Sequence, residues 1–434
     1  MIGLKEINQR KLTISVIGLG YVGLPTAISF FDLGFKVNGI DISSRVIEKL
    51  RRGEDPLIDS TSKLVIPLES ENWNVSEEYG TNIDESDIII ITVPTPIDEN
   101  DSPNLEFIYS ATREVLENIS SPGKVVILES TVFPGVTREI IGGLAEKMER
   151  EIILAYCPER VSPGDSENTV SNVSRVIGCD NREMGESLAF LYSQITGGGC
   201  TFVGKVEVAE AAKLIENVQR DIDIAFTNEL AILLPKIGID VEEVLEAAST
   251  KWNFHRHSPG IGVGGHCIPV DPYYYISLSS RLGEKSEISR SARMVNRRMP
   301  TYAAGEICEI LADAGGSRCL ILGYSYKPEL GDCRETPVRP LIQNLLESGI
   351  EVYLFDPNIS ESDVPEGVVW VENPLNLEND LVVIATAHRQ IIELDWSTML
   401  EECTTKTIYD GRRSFSRPVM ENEGWKYRGI GVPK

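Results

Sequence analysis

No apolar run in this 434-residue chain approaches the roughly 18 residues needed to cross a bilayer, so nothing in it is expected to span a membrane. The first stretch, Met1 to Lys11, lacks the charged, apolar and small-residue zones of a signal peptide, and a cytoplasmic location is expected. Positive charge is in short supply: the formal net charge of −25 speaks against broad affinity for nucleic acid or an anionic membrane surface. An anionic ligand therefore needs a locally basic pocket. Paired-cysteine spacing is missing as well. The eight cysteines (Cys157, Cys179, Cys200, Cys267, Cys308, Cys319, Cys333, Cys403) are scattered through a long chain without secretory features, so a disulfide framework is not expected and most read as small buried hydrophobes.

What is present looks like a multi-domain globular enzyme, with 42% hydrophobic and 25% charged residues in two to three times the usual domain length. Short Ile- and Val-rich runs alternate with amphipathic stretches over the first 200 residues, the pattern of a parallel sheet. Candidate strands are Thr13 to Ile17, Lys36 to Ile40, Asp87 to Val93, Lys124 to Glu129, Ile152 to Tyr156 and Ser174 to Gly178. The spacing predicts a Rossmann-like, doubly wound α/β domain. From Val206 to Lys236 apolar residues recur at three and four and Gly is absent, which predicts a long helix, followed by a shorter one at Asp240 to Ala248. Asn253 to Pro272 fits neither period and reads as loop, where sites tend to lie. After Pro300 the alternation returns, with strands at Cys319 to Leu322, Glu351 to Phe355, Leu381 to Ala385 and Thr407 to Tyr409, so a second, smaller Rossmann-like domain closes the chain.

The first strand runs into Gly18-Leu19-Gly20-Tyr21-Val22-Gly23 and a helix, and the second ends at Asp41. Gly18 permits the tight turn, Gly20 the approach of a pyrophosphate, and Gly23 close packing of helix on strand, while the helix N-terminus offers amide donors. Asp41 suits the adenosine ribose hydroxyls, which favours NAD over NADP; Arg45 is the one dissenting cation. Strand, fingerprint, helix, strand and acid in that order make dinucleotide binding far more specific than the glycines alone. Val93-Pro94-Thr95-Pro96, Glu129-Ser130-Thr131 and Cys157-Pro158-Glu159-Arg160 follow further strands, and so belong at the carboxyl edge where ligands bind in such folds.

Lys213 and Asn217 lie four apart and share a helix face, although such residues are more often solvated. The most informative stretch is Gly260-Ile261-Gly262-Val263-Gly264-Gly265-His266-Cys267-Ile268-Pro269-Val270-Asp271-Pro272. Four glycines in six positions let backbone approach a ligand, and they deliver a single Cys with an Asp four residues on. A thiolate beside a nicotinamide site can attack an aldehyde, and the thiohemiacetal can give up a hydride; a buried inert Cys is the plain alternative. His255, His257, His266 and Cys267 also lie close in sequence, but their spacing matches no closed zinc site and no metal is expected.

Taken together, the fingerprint at Gly18 to Gly23, Glu129-Ser130-Thr131, Pro158-Glu159-Arg160, Lys213 to Asn217, Gly264 to Asp271, and Gly323-Tyr324-Ser325-Tyr326-Lys327 with Arg334-Glu335 resemble the UDP-glucose/GDP-mannose dehydrogenase family along nearly the whole chain. The resemblance implies an NAD-binding domain (1–203), a central helical dimerisation domain with the cysteine loop (204–299) and a UDP-sugar-binding domain (300–434). It further implies a homo-oligomer, either a dimer or a dimer of dimers. Gly18, Gly20, Tyr21, Val22, Gly23, Asp41, Pro94, Thr95 and Thr131 are the implied NAD contacts. By the same resemblance Cys267 is the nucleophile, Lys213 and Asn217 stabilise an oxyanion, Asp271 assists proton transfer, and Glu159 and Thr131 handle water or the substrate hydroxyl. Glu159, Arg160, Lys213, Asn217, Arg256, Gly264, Lys327 and Arg334 match substrate-contacting positions.

Gly264-Gly265-His266-Cys267, Val270-Asp271 and Pro158-Glu159-Arg160 depart from the UDP-glucose branch and resemble the branch acting on UDP-N-acetylhexosamines. Lys251-Trp252-Asn253-Phe254, Pro163-Gly164-Asp165 and Pro272-Tyr273-Tyr274 resemble UDP-N-acetylglucosamine 6-dehydrogenases of the Vi-antigen type. The mannosamine branch carries His-Pro-Arg where this chain has Asn253-Phe254-His255, so the glucosamine epimer is preferred, with the galactosamine epimer left open. Two other readings compete. A two-electron dehydrogenase of the β-hydroxyacid type needs neither Cys267 nor the region after Pro300, and an idle NAD-binding scaffold has no use for Cys267, Lys213, Asn217 and Asp271 together.

Overall fold

Four consecutive isoleucines, Ile88–Ile91, none of them exposed, form the centre of a sheet covered on both faces, which is what an uninterrupted β-branched run is suited to. The computed structural model describes residues 2–57, 64–68, 70–160 and 172–434. Pro163-Gly164-Asp165 lies outside the described residues. The chain divides into two compact units, Met1–Glu216 with Tyr273–Lys285, and Asn217–Pro272 with Ser286–Lys434.

The first unit holds an eight-stranded sheet: β1 (Thr13–Ile17), β2 (Lys36–Ile40), β3 (Trp73–Ser76), β4 (Ile88–Ile91), β5 (Lys124–Leu128), β6 (Ile152–Tyr156), β7 (Arg175–Cys179) and β8 (Cys200–Phe202). Their spatial order is β3-β2-β1-β4-β5-β6-β7-β8, so strand order reverses between β1 and β4. That reversal opens a crevice at the carboxyl ends, the place where doubly wound sheets take ligands. The expected all-parallel sheet needs one correction, since β7 runs antiparallel to β6. The strands expected at 87–93 and 124–129 are shorter, and the one at 174–178 is displaced by one residue.

The second unit repeats the plan with β9 (Arg318–Leu322), β10 (Glu351–Phe355), β11 (Val369–Trp370), β12 (Leu381–Ile384), β13 (Thr407–Asp410) and β14 (Lys426–Gly429), all parallel, in the order β11-β10-β9-β12-β13-β14. The reversal here falls between β9 and β12. The fold class read from the sequence is therefore found twice.

Two long helices depart from the expected bounds. The Val206–Leu233 helix ends in a short 3₁₀ turn, Leu234–Ile237, closed by Gly238 at a φ of 78°, so the expected span to Lys236 is α-helical only as far as Leu233. The Glu287–Ala314 helix carries Pro300 in its interior, and the expected domain boundary after residue 299 lies within it. Asp271 and Pro272, expected as loop, open the Asp271–Arg281 helix.

Candidate active site

In the first unit the Gly18–Gly23 turn is built as the fingerprint requires. Gly18 has a φ of 89°, and a Cβ there would sit 3.1 Å from the Thr92 carbonyl oxygen; at Gly23 it would lie 1.9 Å from the Gly18 oxygen. Neither position admits a side chain. A Cβ at Gly20 meets nothing within 4 Å, so this glycine keeps open the side on which a pyrophosphate would lie. Thr92, which the sequence reading did not single out, donates from Oγ1 to the carbonyls of Ile17 (2.8 Å) and Gly18 (2.6 Å) and ties β4 to the turn. Asp41 accepts from the Leu19 amide (2.7 Å) and the Ser43 amide (2.8 Å), one on each oxygen, leaving lone pairs on both for ribose hydroxyls. Tyr21 and Val22 complete the turn ahead of the Gly23–Asp32 helix. Pro94 and Thr95 follow β4, where the Thr95 carbonyl accepts from Tyr274 Oη at 3.0 Å. These groups suit a dinucleotide.

Thr131 is half-buried at the carboxyl edge, and the segment around it is held from both sides. Ser130 Oγ donates to the Val93 carbonyl (2.6 Å), while the buried Glu210 carboxylate accepts from the amides of Gly135 (2.6 Å) and Thr137 (2.9 Å). Nearby, Arg175, 1% exposed, bridges two carboxylates: Glu129 at 3.3 Å, and Glu159. Burial raises the Glu129 carboxyl above its ordinary range, against the pull of Arg175. Arg160, expected to face substrate, makes a two-pronged pair with Glu216, at 3.0 and 2.7 Å. Lys213, 8% exposed, lies one turn ahead of Asn217 in the Val206–Leu233 helix.

In the second unit Asn217 Nδ2 donates to Asp271 at 2.5 Å. Asp271 is buried, and its amide bonds the Cys267 carbonyl at 2.8 Å, as does that of Val270 at 3.0 Å, so the half-buried Cys267 sits in a tight turn leading into the Asp271–Arg281 helix. The glycines before it have a packing reason. A Cβ at Gly264 would fall 2.7 Å from Tyr326 and 2.8 Å from the Glu335 carbonyl, and Gly265, at a φ of 89°, faces the Tyr326 ring. The cysteine loop is thus pressed onto the segment carrying Lys327 and Arg334, although the two are some 60 residues apart in sequence. Arg334 pairs with Asp332, and against the upward pull of burial this holds the Asp332 carboxyl below its usual range. Arg256, expected at the substrate, is exposed and pairs with Glu242.

One cation was missed. Arg412 follows β13, donates to the Ala385 carbonyl (2.7 Å), and reaches the Gly262 carbonyl at 3.5 Å. Among the described residues its Nη2 is buried without a partner, and burial brings the guanidinium down to about 10, against the opposing pull of Asp410. The signal available in the sequence was the basic pair Arg412-Arg413 just past a strand, at a carboxyl edge. No group of three or more His, Cys, Asp or Glu among the described residues is arranged to hold a metal ion, and no helix there is long and apolar enough to cross a membrane.

Models of one protein family match most of the chain. The model for the NAD binding domain of the UDP-glucose/GDP-mannose dehydrogenase family matches residues 12–196, that for its central domain 207–298, and that for its UDP binding domain 320–417. A UDP-N-acetyl-D-glucosamine 6-dehydrogenase of Pseudomonas aeruginosa is 38% identical over 396 residues, covering 88% of this chain and 92% of the relative. A UDP-N-acetyl-D-mannosamine dehydrogenase of Pyrococcus horikoshii is 35% identical over 439 residues, with 97% and 99% covered. The solved structure of a UDP-D-ManNAc dehydrogenase from Pyrococcus horikoshii matches at a TM-score of 0.85 and 33% identity, again over 97% and 99% of the two chains.

Proposed function

The chain belongs to the UDP-glucose/GDP-mannose dehydrogenase family, and from that premise we propose that it oxidises the C6 hydroxyl of UDP-N-acetylglucosamine to the carboxylate through a thioester on Cys267. At the coarser level it is an NAD-dependent oxidoreductase of the UDP-N-acetylhexosamine 6-dehydrogenase type. NAD binding is assigned to residues 1–203, dimerisation and the cysteine loop to 204–299, and UDP-sugar binding to 300–434.

The observation that carries the reading is the cysteine loop packed on the Tyr326–Glu335 segment, with Asn217 bonded to Asp271 beside it. In the first oxidation the alcohol loses its proton and a hydride and becomes an aldehyde. The Cys267 thiolate then adds to the aldehyde carbon; Asn217 and Lys213 donate to the resulting oxyanion. Loss of the second hydride converts the thiohemiacetal into a thioester, and water, oriented by Glu159 and Thr131, hydrolyses it to free the uronate and the thiol. NAD supplies the hydride acceptor at both stages, so one sugar and one water yield one carboxylate, two NADH and three protons. Lys327, Arg334 and Arg412 are the cations assigned to the anionic diphosphate, which an acidic protein must recognise locally.

The glucosamine epimer is preferred on Asn253-Phe254-His255, which differs from the His-Pro-Arg of the mannosamine branch. The test is a panel of UDP-N-acetylglucosamine, its mannosamine and galactosamine epimers and UDP-glucose, read as NADH per sugar and product mass. Two NADH and a uronate, fastest with UDP-N-acetylglucosamine, are expected. A faster epimer reassigns the substrate, and one NADH with a stable aldehyde or ketone removes the four-electron reaction.

A further inference from the structure

The Val206–Leu233 helix grips both ends of the cysteine loop. Asn217 holds Asp271 at the far end; eleven residues on, Asn228 Oδ1 accepts from the buried Gly260 amide at 3.0 Å, at the near end. Asp221 lies between them, and spacings of four and seven put all three on one helix face. Asn228 Nδ2 in turn donates to Asn296 Oδ1 (2.9 Å) on the Glu287–Ala314 helix. Asn296 Nδ2 donates to the side-chain oxygen Oδ1 (2.8 Å) and the carbonyl (3.0 Å) of Asp221, and Arg293 pairs with the same Oδ1 at 2.5 Å. All four side chains are buried, Asp221 at 0% and Arg293 at 4% exposure.

The chemistry of these groups gives the chain of bonds a direction. A carboxylate only accepts, so Asp221 turns the Asn296 NH₂ toward itself and the Asn296 oxygen away. That oxygen demands the Asn228 NH₂, which leaves the Asn228 oxygen facing the Gly260 amide. Reversing either amide would set donor against donor. Stability alone does not account for such a network, because buried ion pairs exchange for apolar side chains at little cost. Beyond Gly260 the loop contains three more glycines before Cys267 and holds its course only where it is anchored.

We propose that the Arg293–Asp221–Asn296–Asn228 chain is a positioning device for Cys267: the ion pair orients two amides, the second amide fixes Gly260, and the fixed loop presents the thiol. The inference rests on the nucleophilic role of Cys267. Its test uses the full-length protein in two variants, Asn228→Leu and the double exchange Asp221→Leu with Arg293→Met. The readouts are site-resolved alkylation of all eight cysteines by iodoacetamide, kcat and KM with UDP-N-acetylglucosamine, and thermal midpoint. The double exchange puts apolar side chains in place of the pair, so it reports even where Asn228→Leu does not fold. The expected result is a changed alkylation rate at Cys267 with the other seven cysteines unaltered, and kcat lower by about 10- to 100-fold at nearly constant KM, the scale of a loop displaced by an ångström. Alkylation at Cys267 unchanged, or changed in step with every other cysteine, overturns the proposal. Failure of the covalent reading is separate: a Cys267→Ser enzyme releasing uronate at the parental rate removes that reading while leaving the alkylation result as it stands.

Discussion

Asn217 and Asp271 are joined by a 2.5 Å hydrogen bond from amide to carboxylate. The bond leaves Asn217 one further N–H, which the proposed mechanism gives to a substrate oxygen, and turns it by fixing the first. Asn217→Ala is expected to lower kcat by on the order of 10²-fold, the usual worth of one preorganised oxyanion donor. Asn217→Asp should be worse, because it replaces the donor by a second acidic group against the buried Asp271. Steady-state rates for the two variants check the order; Asn217→Asp equal to or faster than Asn217→Ala contradicts it.

Cofactor choice follows from Asp41. Both of its oxygens already accept backbone amides, and if Asp41 takes the ribose hydroxyls as the fingerprint implies, a 2′-phosphate there meets a like charge. NAD is expected to exceed NADP in kcat/KM by roughly tenfold or more. Asp41→Ser should narrow that ratio and also raise KM for NAD, since the Leu19 amide loses its acceptor. Comparable efficiency with the two cofactors in the parent enzyme would show Arg45 or another cation prevailing.

Much of this architecture was legible in the chain, and the exceptions share a cause. Strands such as Ile88–Ile91 announce themselves because a parallel sheet buried on both faces needs continuous β-branched residues. The edge strand Trp73–Ser76 alternates buried and exposed over four residues only, too short a signal to separate from loop. The first half of the Glu287–Ala314 helix is hard to read because its buried face there includes Ser289, Arg293 and Asn296, with Pro300 following in mid-helix, so a clear apolar period sets in only from Met299 onward. Tertiary partners supply what the pattern lacks: Arg293 and Asn296 are buried because Asp221 is there to receive them. The site shows the same division. Cys267, Asn217 and Asp271 stood out as residues, but the pairing of Arg160 with Glu216 and the position of Arg412 depend on contacts that no local spacing reports.

Acid stability is expected to depend on Asp356, the residue after β10. It accepts from the amides of Tyr324 (2.7 Å) and Ser325 (2.9 Å) and from His388 (3.1 Å), and although burial pushes its carboxyl up, these partners hold it below the ordinary range. A carboxyl depressed in the folded state contributes stability above its unfolded value, about pH 4, and loses it as pH falls toward the folded value. Asp356→Asn should therefore lower the urea midpoint most near neutrality and converge on the parent below about pH 4. A constant gap across that range would assign the loss to packing instead of charge.

An exposed apolar stripe on the Val206–Leu233 helix predicts self-association. Val208, Ile215, Phe226 and Leu233 are 48%, 56%, 59% and 51% exposed and recur at seven, eleven and seven, along one face. Sedimentation is expected to give a dimer or a dimer of dimers, and Ile215→Lys with Phe226→Glu to shift it toward monomer. An active monomer of the parent protein at assay concentration overturns this.

On the proposed thioester route, Cys267 separates the two oxidations. The first hydride leaves an alcohol carbon, which requires a base and a donor to the oxygen but no nucleophile. The second leaves a tetrahedral adduct, which a thiolate forms readily and a serine hydroxyl without an activating base does not. Cys267→Ser is thus expected to bind NAD and UDP-sugar normally and to stop part-way, as aldehyde or trapped adduct, with little free uronate. Loss of Lys213 or Asn217 acts differently: each is assigned to the substrate oxygen at both stages, so both steps should slow together, by on the order of 10²-fold per donor. Product mass together with NADH per sugar distinguishes the two classes of variant. If Cys267→Ser released uronate with two NADH per sugar at near the parental rate, the cysteine would be a packing residue of the glycine loop and the thioester route would be wrong.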